Sequence, residues 1–175
     1  MPDPLTLRRM SRRDPRARSL RESLRPFITW AALGVLAPMA CGADRAVGPD
    51  LSANPAVATF VEQVNAHRQS VGCPALVWNP AVAAVAQAHS EDMLARGFFS
   101  HTNPDGASPF DRLAAANIDF SSAAENIAFG YPTAEAVLAG WLGSLGHRAN
   151  IENCTLTEHG VGLDGTYWTH VFIRP

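Results

Sequence analysis

The sequence predicts an α+β domain in which helices cover both sides of a small, mostly antiparallel sheet. Two helix start signals, Asn54-Pro55 and Asn79-Pro80, each precede apolar residues at helical spacing. The end of the chain changes to an alternating pattern around Asp164-Gly165, a dipeptide typical of two-residue β-hairpins. Helices first and a hairpin last favour a layered domain with one core.

Two long helices open the domain. The first begins at Asn54-Pro55, ends at Gly72, and presents one apolar face made of Val57, Phe60, Val61, Val64 and Val71. The second begins at Asn79-Pro80, ends at Gly97, and carries a stripe made of Val82, Val85, Ala86, His89 and Met93. Because His89 lies on this stripe, we interpret it as a packing residue.

Shorter helices follow in the middle of the chain. Ser108-Pro109 begins a third helix that runs through Ala116, and Thr133 can cap a fourth that carries Ala136, Val137 and Trp141. Ser122-Ala123-Ala124-Glu125 has the spacing of a capping box, which predicts a further helix start and gives Glu125 a structural explanation.

The hairpin is predicted to pair residues 158–163 with residues 166–173. Along the second strand, one face carries Tyr167, Thr169, Val171 and Ile173, and the other carries Trp168, His170 and Phe172. Because both faces are bulky, we expect this strand to be central and covered on each side.

Residues 1–40 have the layout of an export signal. Eight arginines precede Pro26, and the uncharged apolar run 27–40 follows. As a helix this run would rise only about 21 Å, which is short for a hydrocarbon core of about 30 Å, so a permanent span is the less favoured alternative. Translation could also begin at Met10. Cys41 closes the run and is predicted to be acylated, as in bacterial lipoproteins; cleavage after Ala43 is the alternative.

Residues 41–54 are a tether without apolar periodicity, and residues 55–175 form one domain. After residue 40 the chain keeps six arginines against thirteen acidic residues, a formal charge of −7. Such a balance favours solubility and argues against a nucleic-acid partner, which needs a basic face. In an exported protein Cys73 and Cys154 are expected to form a disulfide, with two buried free thiols as the alternative.

Three polar residues could carry chemistry: His101, Glu125 and His147. From local sequence alone, each has a structural explanation near a helix end. Their surroundings, Phe99-Ser100-His101, Glu125-Asn126-Ile127-Ala128, Trp141 to Ile151 and Gly160-Val161-Gly162, occur in this order. Together they resemble the CAP superfamily, the cysteine-rich secretory, venom-antigen and pathogenesis-related proteins, in its short bacterial form.

The resemblance implies a three-layer α-β-α sandwich and a central cavity. In the family this cavity holds two histidines and two glutamates. The two histidines match His101 and His147 in this chain, and the first glutamate matches Glu125. Ser144 stands where the second glutamate would be. The resemblance therefore predicts that these four residues converge, with Ser144 at the rim. Two imidazoles and a carboxylate could hold zinc or another divalent cation.

We expect a non-catalytic, extracellular or envelope-bound binding module for a small apolar ligand or an envelope component. The alternative is a metal-dependent hydrolase, such as a protease, in which His101 and His147 hold the ion and Glu125 is a ligand or general base. A purely structural or adhesion domain is a third interpretation. We expect a monomer that meets a membrane only through a lipid anchor at Cys41.

Overall fold

A computed structural model describes residues 53–175 of the chain. The predicted export signal 1–40, the acylation site Cys41 and the tether up to residue 52 lie outside the described residues. These expectations therefore stay predictions.

The domain alternates helices with short strands. Its elements in chain order are α1 (Pro55–Ser70), β1 (Val77–Trp78), α2 (Pro80–Arg96), α3 (Pro109–Ala115), β2 (Ser122–Phe129), α4 (Ala134–Leu142), α5 (Leu145–Ile151), β3 (Glu158–Asp164) and β4 (Tyr167–Arg174).

The four strands form one sheet in the order β1-β3-β4-β2. The short β1 is parallel to β3, whereas β4 is antiparallel to both of its neighbours, β3 and β2. One face of the sheet packs against α1, α4 and α5 through a cluster that includes Phe60, Trp141 and Trp168. The other face packs against α2 and α3 through a cluster that includes Val82 and Leu113. The predicted three-layer α-β-α sandwich is therefore confirmed.

The two long helices begin where the sequence places them. Asn54 and Asn79 each accept two backbone N–H groups of the following helix, and Gly97 ends α2 in the left-handed conformation. The predicted stripe of α2 is buried, including His89, whose Nε2 lies 3.0 Å from the Ser100 carbonyl oxygen. The face of α1 needs one correction. Val71 is 47 % exposed, because it follows the last helical turn and no longer points to the core.

The glycines of the Gly160-Val161-Gly162 fragment let α2 lie directly on the sheet. A Cβ built at Gly160 would overlap the backbone of Ala83, and one at Gly162 would overlap the backbone of Ala86. Backbone on both sides of the contact leaves no flexible group that could move aside. A glycine at each of these positions is therefore a packing requirement.

The hairpin forms as predicted, but its turn lies one residue later. Asp164 pairs with Tyr167, so the two-residue turn is Gly165-Thr166 and not Asp164-Gly165. Gly165 has a φ of 57°, which a glycine adopts readily at the first position of a type II′ turn. The next strand, β4, is central and buried on both faces, as its bulky alternation predicts.

The predicted helix start at Ser122 is wrong, because residues 122–129 form strand β2. Eight consecutive pairs align this strand with β4, from Ser122 opposite Arg174 to Phe129 opposite Tyr167. Pairing with a distant strand outweighs a four-residue capping pattern, which is a local signal. A capping box does form at Ser108, whose side chain and backbone exchange hydrogen bonds with Asp111.

Cys73 and Cys154 form a disulfide, as predicted, and lie 81 positions apart in sequence. The same two chain segments are joined by Arg68, which is fully buried in α1. Its guanidinium donates to the carbonyl oxygens of Pro74, Ile151, Asn153 and Leu156 at 2.7–3.1 Å. Together the disulfide and Arg68 fix the end of α1 to the chain that follows α5.

Candidate functional site

The first part of the site is a chain of contacts from an arginine to a histidine. His101 Nδ1 lies 2.8 Å from Glu125 Oε1, and the Arg112 guanidinium donates to Glu125 Oε2 at 2.7 Å. Glu125 is 1 % exposed and His101 is 7 % exposed, so water screens these contacts weakly. A carboxylate only accepts hydrogen bonds, and therefore Nδ1 carries the proton that points to Glu125.

Each member of this chain comes from a different element. Glu125 lies in the middle of β2, with its neighbours on the strand buried. Arg112 is held on α3, and it also donates to the carbonyl oxygens of His101 at 2.9 Å and Ala107 at 3.1 Å. One guanidinium thus fixes both the carboxylate and the backbone of the loop that presents His101.

His147 lies on α5, beside the outer edge of β2. Asn126 of β2 donates to the His147 carbonyl oxygen at 3.0 Å, and Asn150 donates to the Asn126 side-chain oxygen at 2.9 Å. These bonds attach α5 to the strand. The imidazole itself is 4 % exposed, and neither of its ring nitrogens has a hydrogen-bond partner within residues 53–175. Burial, and secondly the nearby His101, lower the pKa of His147.

Ser144 occupies the N-cap position of α5, and its side chain makes no capping hydrogen bond. It is half-buried and does not line the cleft described next. His101, Glu125 and His147 thus lie around one strand, whereas Ser144 is at a helix start beside them.

A cleft with aromatic walls opens at His147. Its volume is about 130 Å³, and it is lined by Phe99, Ile127, Ala128, Phe129, Tyr131, Gly140, Trp141 and His147. A hydrogen bond orients the ring of Trp141, since its indole Nε1 donates to the Ile127 carbonyl oxygen at 3.2 Å. Tyr131 lies so close to Gly140 that a Cβ built there would be 2.6 Å from the hydroxyl. The His147 imidazole and the Tyr131 phenol are the only titratable groups among the residues that line the cleft.

The mouth of the cleft carries exposed aromatic rings. Phe99 is 38 % exposed and Phe129 is 53 % exposed, with 6.3 Å between their ring centroids. Tyr167 extends this surface, since its ring centroid is 4.4 Å from that of Phe129. An apolar group entering the cleft would therefore meet aromatic surface before it reaches His147.

The expected three-ligand metal set does not fit this geometry. Within residues 53–175 no group of three or more His, Cys, Asp or Glu side chains is arranged to hold a metal ion. Both Glu125 oxygens already accept a hydrogen bond, one from His101 and one from a guanidinium, so a dication bound to this carboxylate would sit beside a positive charge. Glu125 orients His101 in this arrangement.

Sequence reasoning missed two features. Arg112 lies on a short helix whose sequence gives no sign that it faces Glu125, thirteen residues away. The second feature is a buried pair, His159 Nδ1 and His170 Nε2, whose nitrogens are 2.9 Å apart; both residues are fully buried. The hairpin register could have indicated it, because His159 and His170 lie diagonally on one face.

The sequence model of the cysteine-rich secretory protein family, CAP, matches residues 61–170. The chain belongs to this family. The match runs from the middle of α1 to the middle of β4, and so includes Arg112 and every predicted site residue in the domain. No helix within residues 53–175 is long and apolar enough to cross a membrane.

Two Bacillus subtilis proteins are similar in sequence. The uncharacterized membrane protein YlbC is 40 % identical over 115 residues, which are 66 % of this chain and 33 % of that protein. The uncharacterized protein YkwD is 41 % identical over 115 residues, 65 % of this chain and 45 % of that protein. The chain thus spans less than half the length of each relative.

Solved structures share the fold. An extracellular protein of Bacillus anthracis that contains an SCP domain is 37 % identical, with a TM-score of 0.66 over 67 % of this chain and 40 % of that one. An outer surface protein of Borrelia burgdorferi is 17 % identical, with a TM-score of 0.66 over 73 % of this chain and 98 % of that one. The second likeness concerns the fold alone.

Proposed function

We propose that this CAP domain is a non-catalytic binding module that takes a small apolar group into the aromatic cleft beside His147. The observation that carries the proposal is the composition of the cleft, in which four aromatic rings surround a space of about 130 Å³. Apolar cavities of this order, about 150 Å³, hold one benzene-sized group. The ligand, or the part of it that enters, is therefore about one ring in size.

The contacts of Glu125 support binding in preference to hydrolysis. A general base or a metal ligand works best with an uncompensated carboxylate, but both oxygens of Glu125 already accept hydrogen bonds from His101 and Arg112, and the guanidinium offsets its charge. The Nε2 atom of His101 has no partner, and no serine, cysteine or threonine within residues 53–175 is hydrogen-bonded to it. His101 therefore does not activate a side-chain nucleophile of that kind in this structure.

We also propose that the domain works outside the cytoplasm, as a monomer that is either released or held by a lipid anchor. The disulfide Cys73–Cys154 supports an oxidising compartment. The Bacillus anthracis relative is described as extracellular. Acylation at Cys41 predicts a mature chain that begins at this residue and carries lipid, and the intact mass of the exported protein tests it. A mass that matches an unmodified chain beginning at Asp44 would contradict it.

A binding measurement with matched variants tests the proposed function. Toluene is the probe, and its affinity for the purified protein is measured by ligand-observed NMR. Phe129→Ala removes one wall and should weaken toluene binding at least about 3-fold, since it removes apolar contact area. Val77→Ala, an exposed apolar position on the opposite edge strand, should leave the affinity unchanged. Toluene that does not bind, or equal affinities for both variants, would contradict the proposal.

A further inference from the structure

We propose that His89 is a positioning residue of the cleft: its buried imidazole holds the chain on both sides of Phe99 and so sets the position of this aromatic wall. The inference rests on the proposed function, and it assigns the shape of the cleft to a residue that is not among those lining it. His89 therefore has a role in addition to the packing that its place on the apolar stripe of α2 predicts.

Phe99 belongs to a segment without the support of a helix or a strand. Helix α2 ends at Arg96, and residues 98–107 form neither helix nor strand before α3 begins at Pro109. The ring of Phe99 nevertheless lines the cleft, and its centroid lies 6.3 Å from that of Phe129. Hydrogen bonding within a helix or a sheet therefore does not fix this wall, and side chains of neighbouring elements must do so.

One imidazole contacts both neighbours of Phe99 in the chain. His89 Nε2 lies 3.0 Å from the Ser100 carbonyl oxygen, and the His89 ring packs edge-on against the ring of Phe98, with 5.9 Å between the centroids. A carbonyl oxygen only accepts hydrogen bonds, so Nε2 carries the proton. Burial lowers the pKa of His89, which favours a neutral ring with this single proton. The residues immediately before and after Phe99 are thus held by the same side chain.

The support changes at the next residue. The His101 carbonyl oxygen accepts from Arg112 at 2.9 Å, and the His101 imidazole contacts Glu125. These contacts begin two residues after Phe99, so they hold the far end of the segment. His89 holds the part that carries the wall.

The helix that carries His89 is itself fixed against the sheet. His89 is 1 % exposed, and it lies three residues after Ala86 on the same side of α2. The backbone of Ala86 lies so close to Gly162 of β3 that a Cβ built there would overlap it. An imidazole on this part of α2 can therefore transfer the position of the sheet to the Ser100 carbonyl.

Packing and positioning require different chemistry at residue 89. An apolar side chain could also pack against Phe98, and it would avoid the cost of burying ring nitrogens. His89→Leu keeps an apolar contact but removes the donor to Ser100. His89→Gln keeps an N–H donor at about the distance of Nε2 from the backbone. If His89 only packs, the donor is dispensable; if it positions Phe99, glutamine should replace it and leucine should not.

NMR of the protein without a ligand measures the position of the wall. We expect an NOE between the rings of Phe99 and Phe129 in the wild-type protein and in His89→Gln, and its loss in His89→Leu. The control is Ser90→Ala, which removes a different buried hydrogen bond of α2, the one to Thr169, and should keep the NOE. An NOE that persists in His89→Leu, or that is lost in either of the other two variants, would overturn the inference.

Toluene affinity measures the consequence for the cleft. His89→Leu should bind toluene at least about 3-fold more weakly than the wild-type protein, because a displaced Phe99 ring withdraws apolar contact area from the ligand. His89→Gln and Ser90→Ala should keep an affinity close to that of the wild-type protein. Equal affinities for His89→Leu and His89→Gln would overturn the inference.

The wild-type protein decides the question if His89→Leu does not fold. Its ¹⁵N NMR spectrum should show the His89 proton on Nε2 and protected from exchange with water, and a proton on Nδ1 would overturn the inference. The two levels of the proposal fail separately. If toluene does not bind the wild-type protein, the proposed function fails, while the NOE in the free protein still decides whether His89 positions Phe99. If toluene binds but His89→Leu keeps both the NOE and the affinity, only the inference fails.

Discussion

The buried pair His159 and His170 makes the domain sensitive to mild acid. Both imidazoles are fully buried between the sheet and α1, against the rings of Phe60 and Trp78. Burial, and secondly the buried Arg68, lower the pKa of His159 to about 3. Burial lowers the pKa of His170 as well, followed by the effects of His159 and Arg68. Protonation of either ring would place a charge in the core beside a guanidinium.

The sign of the effect follows from comparing folded and unfolded states. Above about pH 7 the rings are neutral in both states, so they contribute no pH dependence. As the pH falls through about 6.5, the unfolded chain binds protons that the folded chain cannot bind, and stability falls. The loss continues until the pH reaches the folded pKa of His159, about 3. At about pH 5, His159 alone lowers the free energy of unfolding by about 2 kcal/mol, and His170 adds a loss of the same sign.

Urea denaturation at about pH 7.5, 6 and 5, with the disulfide intact, measures this loss. The free energy of unfolding should be at least about 2 kcal/mol lower at the most acidic point. The double variant His159→Gln/His170→Gln should lose most of the difference, whereas His147→Asn, which removes one further histidine with a lowered pKa, should keep the larger part of it. A wild-type difference below about 0.5 kcal/mol between the two extremes would refute the assigned environment of the pair.

Three predictions concern the framework of the domain. Cys73→Ser/Cys154→Ser should lower the free energy of unfolding by about 4 kcal/mol, because the disulfide closes a loop of 81 residues; a loss below about 1 kcal/mol would contradict this. Arg68→Met leaves four carbonyl oxygens without their donor, two of them in buried hydrogen bonds, and should lower the free energy of unfolding by at least about 3 kcal/mol, compared with less than about 1 kcal/mol for exposed Arg148→Met. Gly160→Ala should lower the free energy of unfolding, measured by heat or urea, by at least about 2 kcal/mol. Gly143→Ala, whose Cβ would be 3.4 Å from its nearest neighbours, should lower it by less than about 1 kcal/mol. Equal losses in the two variants would contradict the close approach of α2.

Local signals predicted most of the fold. Asn54-Pro55 and Asn79-Pro80 act within one helical turn, so their hydrogen bonds can be read from neighbouring residues. The alternation in β4 likewise reports its own two faces. The same local logic failed at Ser122, because pairing with β4 depends on residues that lie about fifty positions further along the chain. It failed again at the turn, where strand register moved the hairpin by one residue.

The site was predicted less completely than the fold. The resemblance named His101, Glu125 and His147, and all three lie around β2. Their roles depend on Arg112, which neither pattern nor spacing identifies, since α3 places it against Glu125 only in the folded domain. The aromatic cleft was also not predicted, because Phe99, Phe129 and Trp141 come from three separate segments. Long-range packing thus decides the chemistry that the motif residues can perform.

The central claim is that the cleft beside His147 binds an apolar ring, and a titration of the protein with toluene observed at the tryptophan indoles tests it most directly. Trp141 lines the cleft, whereas Trp78 lies on β1 at the opposite edge of the sheet. We predict a saturable shift of the Trp141 indole N–H resonance and no saturable shift of the Trp78 resonance. Unchanged resonances, or equal shifts at both indoles, would contradict the claim.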